Sequence, residues 1–211
     1  MFISDRDLLV LEPGVFRDAG WIGQRLLAGT GSIIGATLTL SSGNLTTAGI
    51  VAGHVLLYDS VAVEVVSVNS SLTATVSLIR ASETDPVIAV PPAGAKPVTC
   101  WTFRPQISLM HTQVLRMLGI DPEASPGDLV SEASIVNPAS LALAESLGVL
   151  HLVYAAAAAL SAADSSLAAR AEVYRRRFGE ERQRAVARID LDGDGLADAT
   201  RRVNVIQFMR A

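Results

Sequence analysis

The spacing of apolar and polar residues changes twice along the chain and divides it into three parts. Ser4 precedes acidic residues and an apolar run at residues 8–11, which predicts a short N-capped helix that ends at Pro13. From there to about Arg104, short β-branched runs alternate with Gly, Ser and Asn, as in strands joined by tight turns. After Pro105 the apolar residues return to helical spacing.

The middle part predicts six short strands. They cover residues 32–40, 54–58, 62–69, 73–80, 87–90 and 97–103. Two connections, Asp59-Ser60 and residues 69–71, are too short for crossover helices and therefore indicate an antiparallel meander. A small barrel is the architecture that best fits so many short strands, because closure removes exposed edges.

The C-terminal part predicts one short helix and two long ones. The short helix covers residues 107–118 and ends at Gly119, a natural C-cap. The first long helix covers residues 138–163, with Asn137 as its N-cap, and the second reaches about Ile189. The predicted fold class is α+β: a small antiparallel β-barrel inserted into a helical bundle, an αα-hairpin scaffold with an extended C-terminal tail. The predicted domains are a helical domain at residues 1–12 and 106–198, an inserted barrel at residues 13–105, and an arm at residues 199–211.

The first long helix carries apolar residues around its whole circumference, and a single amphipathic partner does not cover such a helix. We therefore expect neighbouring subunits to cover part of it, in a ring or another homo-oligomer. The alternative is that the barrel and the short helices cover it within one monomer.

The tail after residue 199 is apolar and β-prone, and we expect it to dock on a neighbour as an added strand. The predicted subunit-interface residues are Leu143, Leu147, Leu150, Tyr154, Val205 and Phe208.

An acidic motif follows the second long helix, with Asp190, Asp192, Asp194 and Asp198 at the first, third, fifth and ninth positions of a calcium-type loop. Gly195 occupies the sixth position, where such loops turn sharply. The twelfth position, which needs a bidentate Glu, is Arg201, and no second loop pairs with this one. The motif therefore leaves two interpretations open: a calcium site, or an acid-rich turn that ends the helix.

Composition narrows the function classes. The net charge of −4 is spread over both signs, so we expect no nucleic-acid module. The longest apolar stretch, residues 141–160, is interrupted by Glu145, Ser146, Gly148 and His151, so we expect no membrane span. The single cysteine, Cys100, lies in a strand pattern and is expected to be a packing residue of a chain folded in a reducing compartment. No secretory signal is visible, the three histidines lack ligand spacing, and no nucleophile motif stands out. We therefore expect no catalytic residues and no enzyme activity.

Two C-terminal segments carry a family resemblance: the Tyr-Arg-Arg-Arg-Phe run at residues 174–178 and the Ala-Val-Ala-Arg-Ile-Asp-Leu-Asp-Gly-Asp-Gly run at residues 185–195. With the helical hairpin and the short apolar tail, they make residues 106–211 resemble the head-to-tail connector, or adaptor, proteins of tailed bacteriophages. The resemblance implies a structural virion protein of the neck, folded in the host cytoplasm. It also implies a dodecameric ring under the portal protein, with a C-terminal arm that reaches a neck or tail protein. The barrel resembles that family only in the style of small virion β-domains, and its role stays open.

The expected function is thus a head-to-tail adaptor that joins portal to tail through packing and strand pairing. The alternatives are a calcium-dependent ligand-binding β-barrel module and another structural protein of the phage neck or tail. Apart from calcium, no cofactor is expected.

Overall fold

The structure is a computed structural model that describes residues 1–124, 130–161 and 165–203. The chain divides into two compact units. Residues 4–105 form the first, called here the barrel unit, and residues 1–3 with 106–211 form the second, called the helical unit. The division after residue 105 coincides with the predicted domain boundary.

The barrel unit contains a closed antiparallel barrel of six strands in the order β1-β2-β5-β4-β3-β6. The strands are β1 (Gln24–Ile34), β2 (Thr37–Ser42), β3 (Val55–Tyr58), β4 (Val61–Val68), β5 (Thr73–Ser77) and β6 (Ala93–Thr102). The mixed α and β fold with a closed six-stranded antiparallel barrel is therefore confirmed. Leu, Val and Ile side chains fill the interior, and Cys100 is buried among them.

Two of the six predicted strands are wrong in detail. The segment at residues 32–40 is not one strand, because a two-residue turn at Gly35 and Ala36 separates β1 from β2, and Gly35 has a left-handed φ of 62°. The segment at residues 87–90 is not a strand either, although the amide of Val90 donates to the carbonyl of Gly35. The predicted turn at Asp59-Ser60 is confirmed, and both residues have positive φ, as a two-residue hairpin requires.

Two short helices, α1 (Asp5–Leu11) and α2 (Val15–Ala19), precede the barrel and belong to the same unit. The assignment of residues 1–12 to the helical domain is therefore wrong from residue 4 onward. The physical reason lies in the contacts of α1: the amide of Arg6 donates to the carbonyl of Gly53, and the Asp5 carboxyl accepts from the amide of Phe103 at 2.8 Å. These bonds connect α1 to the segment before β3 and to the residue after β6.

The described residues of the helical unit form three helices, the first of which begins two residues before the unit's boundary, and a two-stranded sheet. They are α3 (Arg104–Met117), α4 (Ala139–Leu160), α5 (Ser165–Arg184), β7 (Val186–Ile189) and β8 (Ala199–Arg202), with a 3-10 turn at Glu132–Ser134. Gly119 follows α3 in the left-handed region at φ 67°, as expected of a C-cap. The prediction that α5 reaches Ile189 is wrong, because residues 186–189 pair with β8 instead.

The two long helices pack against each other along their length. Tyr154 and Tyr174 stack with ring centroids 5.6 Å apart, and the Arg170 guanidinium lies 5.5 Å over the Tyr154 ring. Gly148 brings α4 close to Met110 of α3, whose sulfur would lie 2.6 Å from a Cβ at that position.

Among the described helices, α4 is long and apolar enough to cross a membrane by length and composition. However, 61% of its most apolar 18-residue segment is buried inside the chain. Core helices pass the same test.

Candidate functional site

The C-terminal β-hairpin of the helical unit gathers most of the residues to which the sequence assigns a function. β7 and β8 are antiparallel, with Arg188 opposite Thr200, and residues 190–198 connect them. The inner edge of β7 is covered by residues 134–137. The amide of Val136 donates to the carbonyl of Arg188 at 3.0 Å, and the side chain of Asn137 accepts from the Arg188 amide at 2.6 Å. Asn137, predicted to cap α4, thus uses its side chain to hold β7.

Three of the four predicted metal ligands converge in the connection. Each of Asp190, Asp192 and Asp194 offers a carboxylate oxygen, and these oxygens lie within 4.8 Å of one another. The carboxylate of Asp190 also accepts hydrogen bonds from the amides of Gly193 and Gly195, at 2.7 and 2.8 Å. These bonds stabilise the charged form and lower the pKa of Asp190 below its ordinary value. The turn is exposed, so its carboxylates face water.

The fourth predicted ligand, Asp198, lies outside that group. Its Oδ2 accepts the amide of Leu191 at 2.7 Å, which closes the connection at its base. Arg201, which stands where a calcium loop needs a carboxylate, has a structural contact of its own. Its Nη1 donates to the carbonyls of Leu118 and Gly119 at the end of α3, both at 3.0 Å. A cation suits carbonyls at the C-terminal end of a helix, so Arg201 has a structural role at the position where a calcium loop needs a carboxylate.

The predicted subunit-interface residues of α4 are mostly buried within the single chain. Leu147 is 2% exposed, and Leu150 and Tyr154 are fully buried. The burial does not support the prediction that these three residues lie in a subunit interface, because almost none of their surface is left for a neighbour. Leu143 differs, since 40% of it is exposed.

The predicted interface residues Val205 and Phe208 lie outside the described residues. The arm predicted from residue 199 begins instead as β8, which pairs within the chain, and Val203 is buried. The outer edge of β8 differs from the edge that pairs with β7. Within the described ranges, no backbone hydrogen bond reaches that edge, and the chain runs from it directly into the apolar segment 203–209.

Sequence reasoning missed a buried ionic cluster in the barrel unit. Glu64 is fully buried, and its two oxygens accept from the Nε atoms of Arg6 and Arg80. Arg80 Nη1 donates to the carbonyls of Glu83 and Asp85, both at 2.8 Å, and so fastens the segment after β5. The partners are 58 and 16 residues apart in sequence, and the one local signal was a lone Glu in the apolar run of β4.

A second missed cluster lies in the helical unit. His111 Nδ1 is 3.1 Å from Oε2 of Glu145, and its Nε2 is 3.1 Å from Oε2 of Glu132. Glu145 is fully buried on α4, in a position that the helical pattern would give to an apolar residue. An acid at a core position of a helix was the one feature of the sequence that could have indicated this cluster.

The chain was compared with protein-family models, curated proteins and solved structures. No significant match was found in any of the three comparisons.

Proposed function

We propose that this chain is a structural protein of a tailed-phage virion, a head-to-tail adaptor that assembles as a ring between the portal and the tail or neck. The observation that carries the proposal is the outer edge of β8, which no backbone hydrogen bond from the described residues reaches and from which the chain continues into an apolar, β-prone end. An unpaired strand edge is a template for pairing with another chain. The αα-hairpin of α4 and α5 is the helical scaffold from which this edge is displayed.

The edge has features that restrict which strands can pair with it. β8 has only four residues, and Arg202 is exposed on it. Short, charged edges pair poorly with arbitrary strands, which keeps free subunits from aggregating. A matched strand, from a neighbouring subunit or from a neck component, is the partner that this edge would accept. Leu143, Leu160 and Val173 supply exposed apolar surface on the same unit.

The experiment is to change the apolar end of the chain without shortening it. Replacing Val205, Ile206 and Phe208 by Ser removes the side chains that would pack in an added strand. We expect the triple variant to fold as the wild type does, by circular dichroism, but to lose the ring in negative-stain electron microscopy. The matched control replaces the polar neighbours Asn204 and Gln207 by Ser and should keep the ring. Equal assembly of both variants would refute the role of this segment.

The convergence of the three carboxylates supports a second candidate, a calcium-binding protein. The acidic turn belongs to the helical unit, so calcium would order the β7–β8 hairpin rather than form part of a ligand site in the barrel. Isothermal titration calorimetry with Ca²⁺ tests this. Binding should be lost in Asp192→Asn and kept in Glu172→Gln, an exposed carboxylate of α5. Absence of calcium heat, with melting unchanged by a chelator, would leave the loop as a capped turn.

A further inference from the structure

His111 of α3 lies between two carboxylates that approach opposite nitrogens of its ring. Nδ1 faces Glu145 of α4 and Nε2 faces Glu132 of the 3-10 turn, each at 3.1 Å. His111 is 7% exposed, and the Phe2 ring packs edge-on against its ring at a centroid distance of 4.7 Å. The charged groups that face His111 are thus Glu145 from α4, Glu132 from the turn, and the Met1 amine, which lies 3.0 Å from the second oxygen of Glu132.

Two carboxylates on opposite nitrogens favour a positive ring. A neutral imidazole has one N–H, so one of its two nitrogens would present a lone pair to a carboxylate oxygen. Glu145 needs a positive partner more than Glu132 does, because it is fully buried and its Oε1 has no hydrogen-bond partner among the described residues. A buried carboxylate without a positive partner is costly. The imidazolium places a positive N–H against one oxygen of each carboxylate, Oε2 in both cases.

The two carboxylates differ in what they lose if the ring gives up its proton. Glu145 has no access to water, so the remaining N–H stays on Nδ1, the nitrogen that faces it. The side chain of Glu132 is 46% exposed and can be hydrated instead. Deprotonation therefore breaks the contact with Glu132 and keeps the contact with Glu145.

The turn that carries Glu132 supports the C-terminal hairpin. The carbonyl of Ser134 accepts the amide of Asp190 at 2.8 Å, and Ile135 forms a β-bridge with Ile189. The turn is thus connected at one side to His111 and at the other to the end of β7. A change at His111 can reach the hairpin through a few residues.

We propose that His111 is a proton-dependent latch: its imidazolium fixes the turn at residues 132–134, and loss of the proton frees this turn and loosens the inner edge of β7. All of these groups lie within one chain, so the latch does not depend on assembly of subunits into an oligomeric ring.

The direction of the pH dependence follows from the same contacts. Burial acts to lower the pKa of His111, but the contacts with Glu145 and Glu132 outweigh it, so the pKa lies above the ordinary value of 6.5. A raised histidine pKa gives stability that is complete below 6.5 and is lost as pH rises through the folded-state pKa. The latch is therefore closed in mildly acidic solution and opens on the alkaline side.

The test combines two measurements on the full chain. NMR titration of ¹³C- and ¹⁵N-labelled histidine gives the pKa of His111, and hydrogen exchange followed by mass spectrometry gives the protection of peptides that span residues 130–137. We expect His111 to titrate above 6.5 and protection, corrected for intrinsic exchange, to fall through the same pH range. The expected loss is on the order of tenfold for each unit by which the folded pKa exceeds its ordinary value.

Glu132→Gln separates the latch from a merely structural turn. It should lower the pKa of His111 and abolish the pH step in protection, because an amide side chain bonds either form of the ring. Glu123→Gln makes the same charge change at an exposed residue and should alter neither measurement. A His111 pKa at or below 6.5, or equal protection on both sides of the His111 midpoint, would overturn the proposal.

Discussion

At the scale of single residues, the barrel unit contains a buried acid, Asp5, beside the end of β6. Asp5 is 3% exposed and accepts the amide of Phe103 at 2.8 Å. Burial raises its pKa from 3.8 to about 6, against the lowering effect of its hydrogen bonds to Thr102 and Phe103 and of the nearby Arg104 charge. The folded state therefore binds this proton more tightly than the unfolded chain does, and stability falls as pH rises from 3.8 to about 6.

Replacement of Asp5 by Asn tests this residue. The amide oxygen can still accept from Phe103, and the cost of ionising a buried acid disappears. That cost is about 3 kcal/mol for a shift of roughly two pKa units, which sets an upper limit on the gain. In urea denaturation at a series of pH values, we expect Asp5→Asn to be more stable than the wild type above pH 6 and to lack the fall in stability that the wild type shows as pH rises from 3.8 to about 6.

Glu83→Gln is the control, since Glu83 is an exposed carboxylate of the same unit. It should leave the decline unchanged. If Asp5→Asn lost stability at neutral pH, the buried carboxylate would be a net stabilising group and this account of it would be wrong.

At the scale of elements, the sequence predicted the number of barrel strands better than their limits. The middle of β1 contains Gly29 and Gly31, and the apolar alternation that identifies a strand is weak there. These glycines are needed because β1 and β2 approach closely: a Cβ on Gly29 would lie 2.2 Å from the carbonyl oxygen of Ser42. The predicted end of α5 was wrong for another reason. The spacing of Ala185 and Ile189 fits a helix, whereas the alternating burial of residues 186–189 depends on pairing with β8, which local spacing does not reveal.

The close approach at Gly29 gives a prediction at this scale. Gly29→Ala forces a side chain against backbone that cannot rotate away, so we expect it to destabilise the barrel unit by about 1–3 kcal/mol. Gly179→Ala is the matched control, because it lies inside α5 with nothing within 4 Å of a new Cβ. Alanine is the better helix former, and this variant should gain about 0.5–1 kcal/mol. Thermal unfolding of both variants checks the pair, and similar melting temperatures would contradict the close approach.

At the scale of the whole molecule, local patterns predicted a closed barrel and a long helical hairpin. They did not predict which unit each short helix joins, because hydrogen bonds between distant residues such as Asp5 and Phe103 decide that. The same limit applies to the candidate site. The acidic turn was visible as a motif, but the roles of Arg201 and His111 depend on the carbonyls of α3 and on Glu145 of α4.

The central claim is that the chain is an assembly component whose subunits join through the C-terminal edge. Leu147, Leu150 and Tyr154 are buried, so the proposed interface would rest on the outer edge of β8, which the described residues leave without backbone hydrogen bonds. Association should therefore depend on strand pairing and on the apolar end of the chain rather than on exchange of helices.

Sedimentation velocity of the purified full chain at tens of micromolar measures this most directly. The account predicts a discrete species with the mass of a closed ring, many times the 22.1 kDa of one subunit. A single species at the monomer mass throughout that concentration range would contradict it.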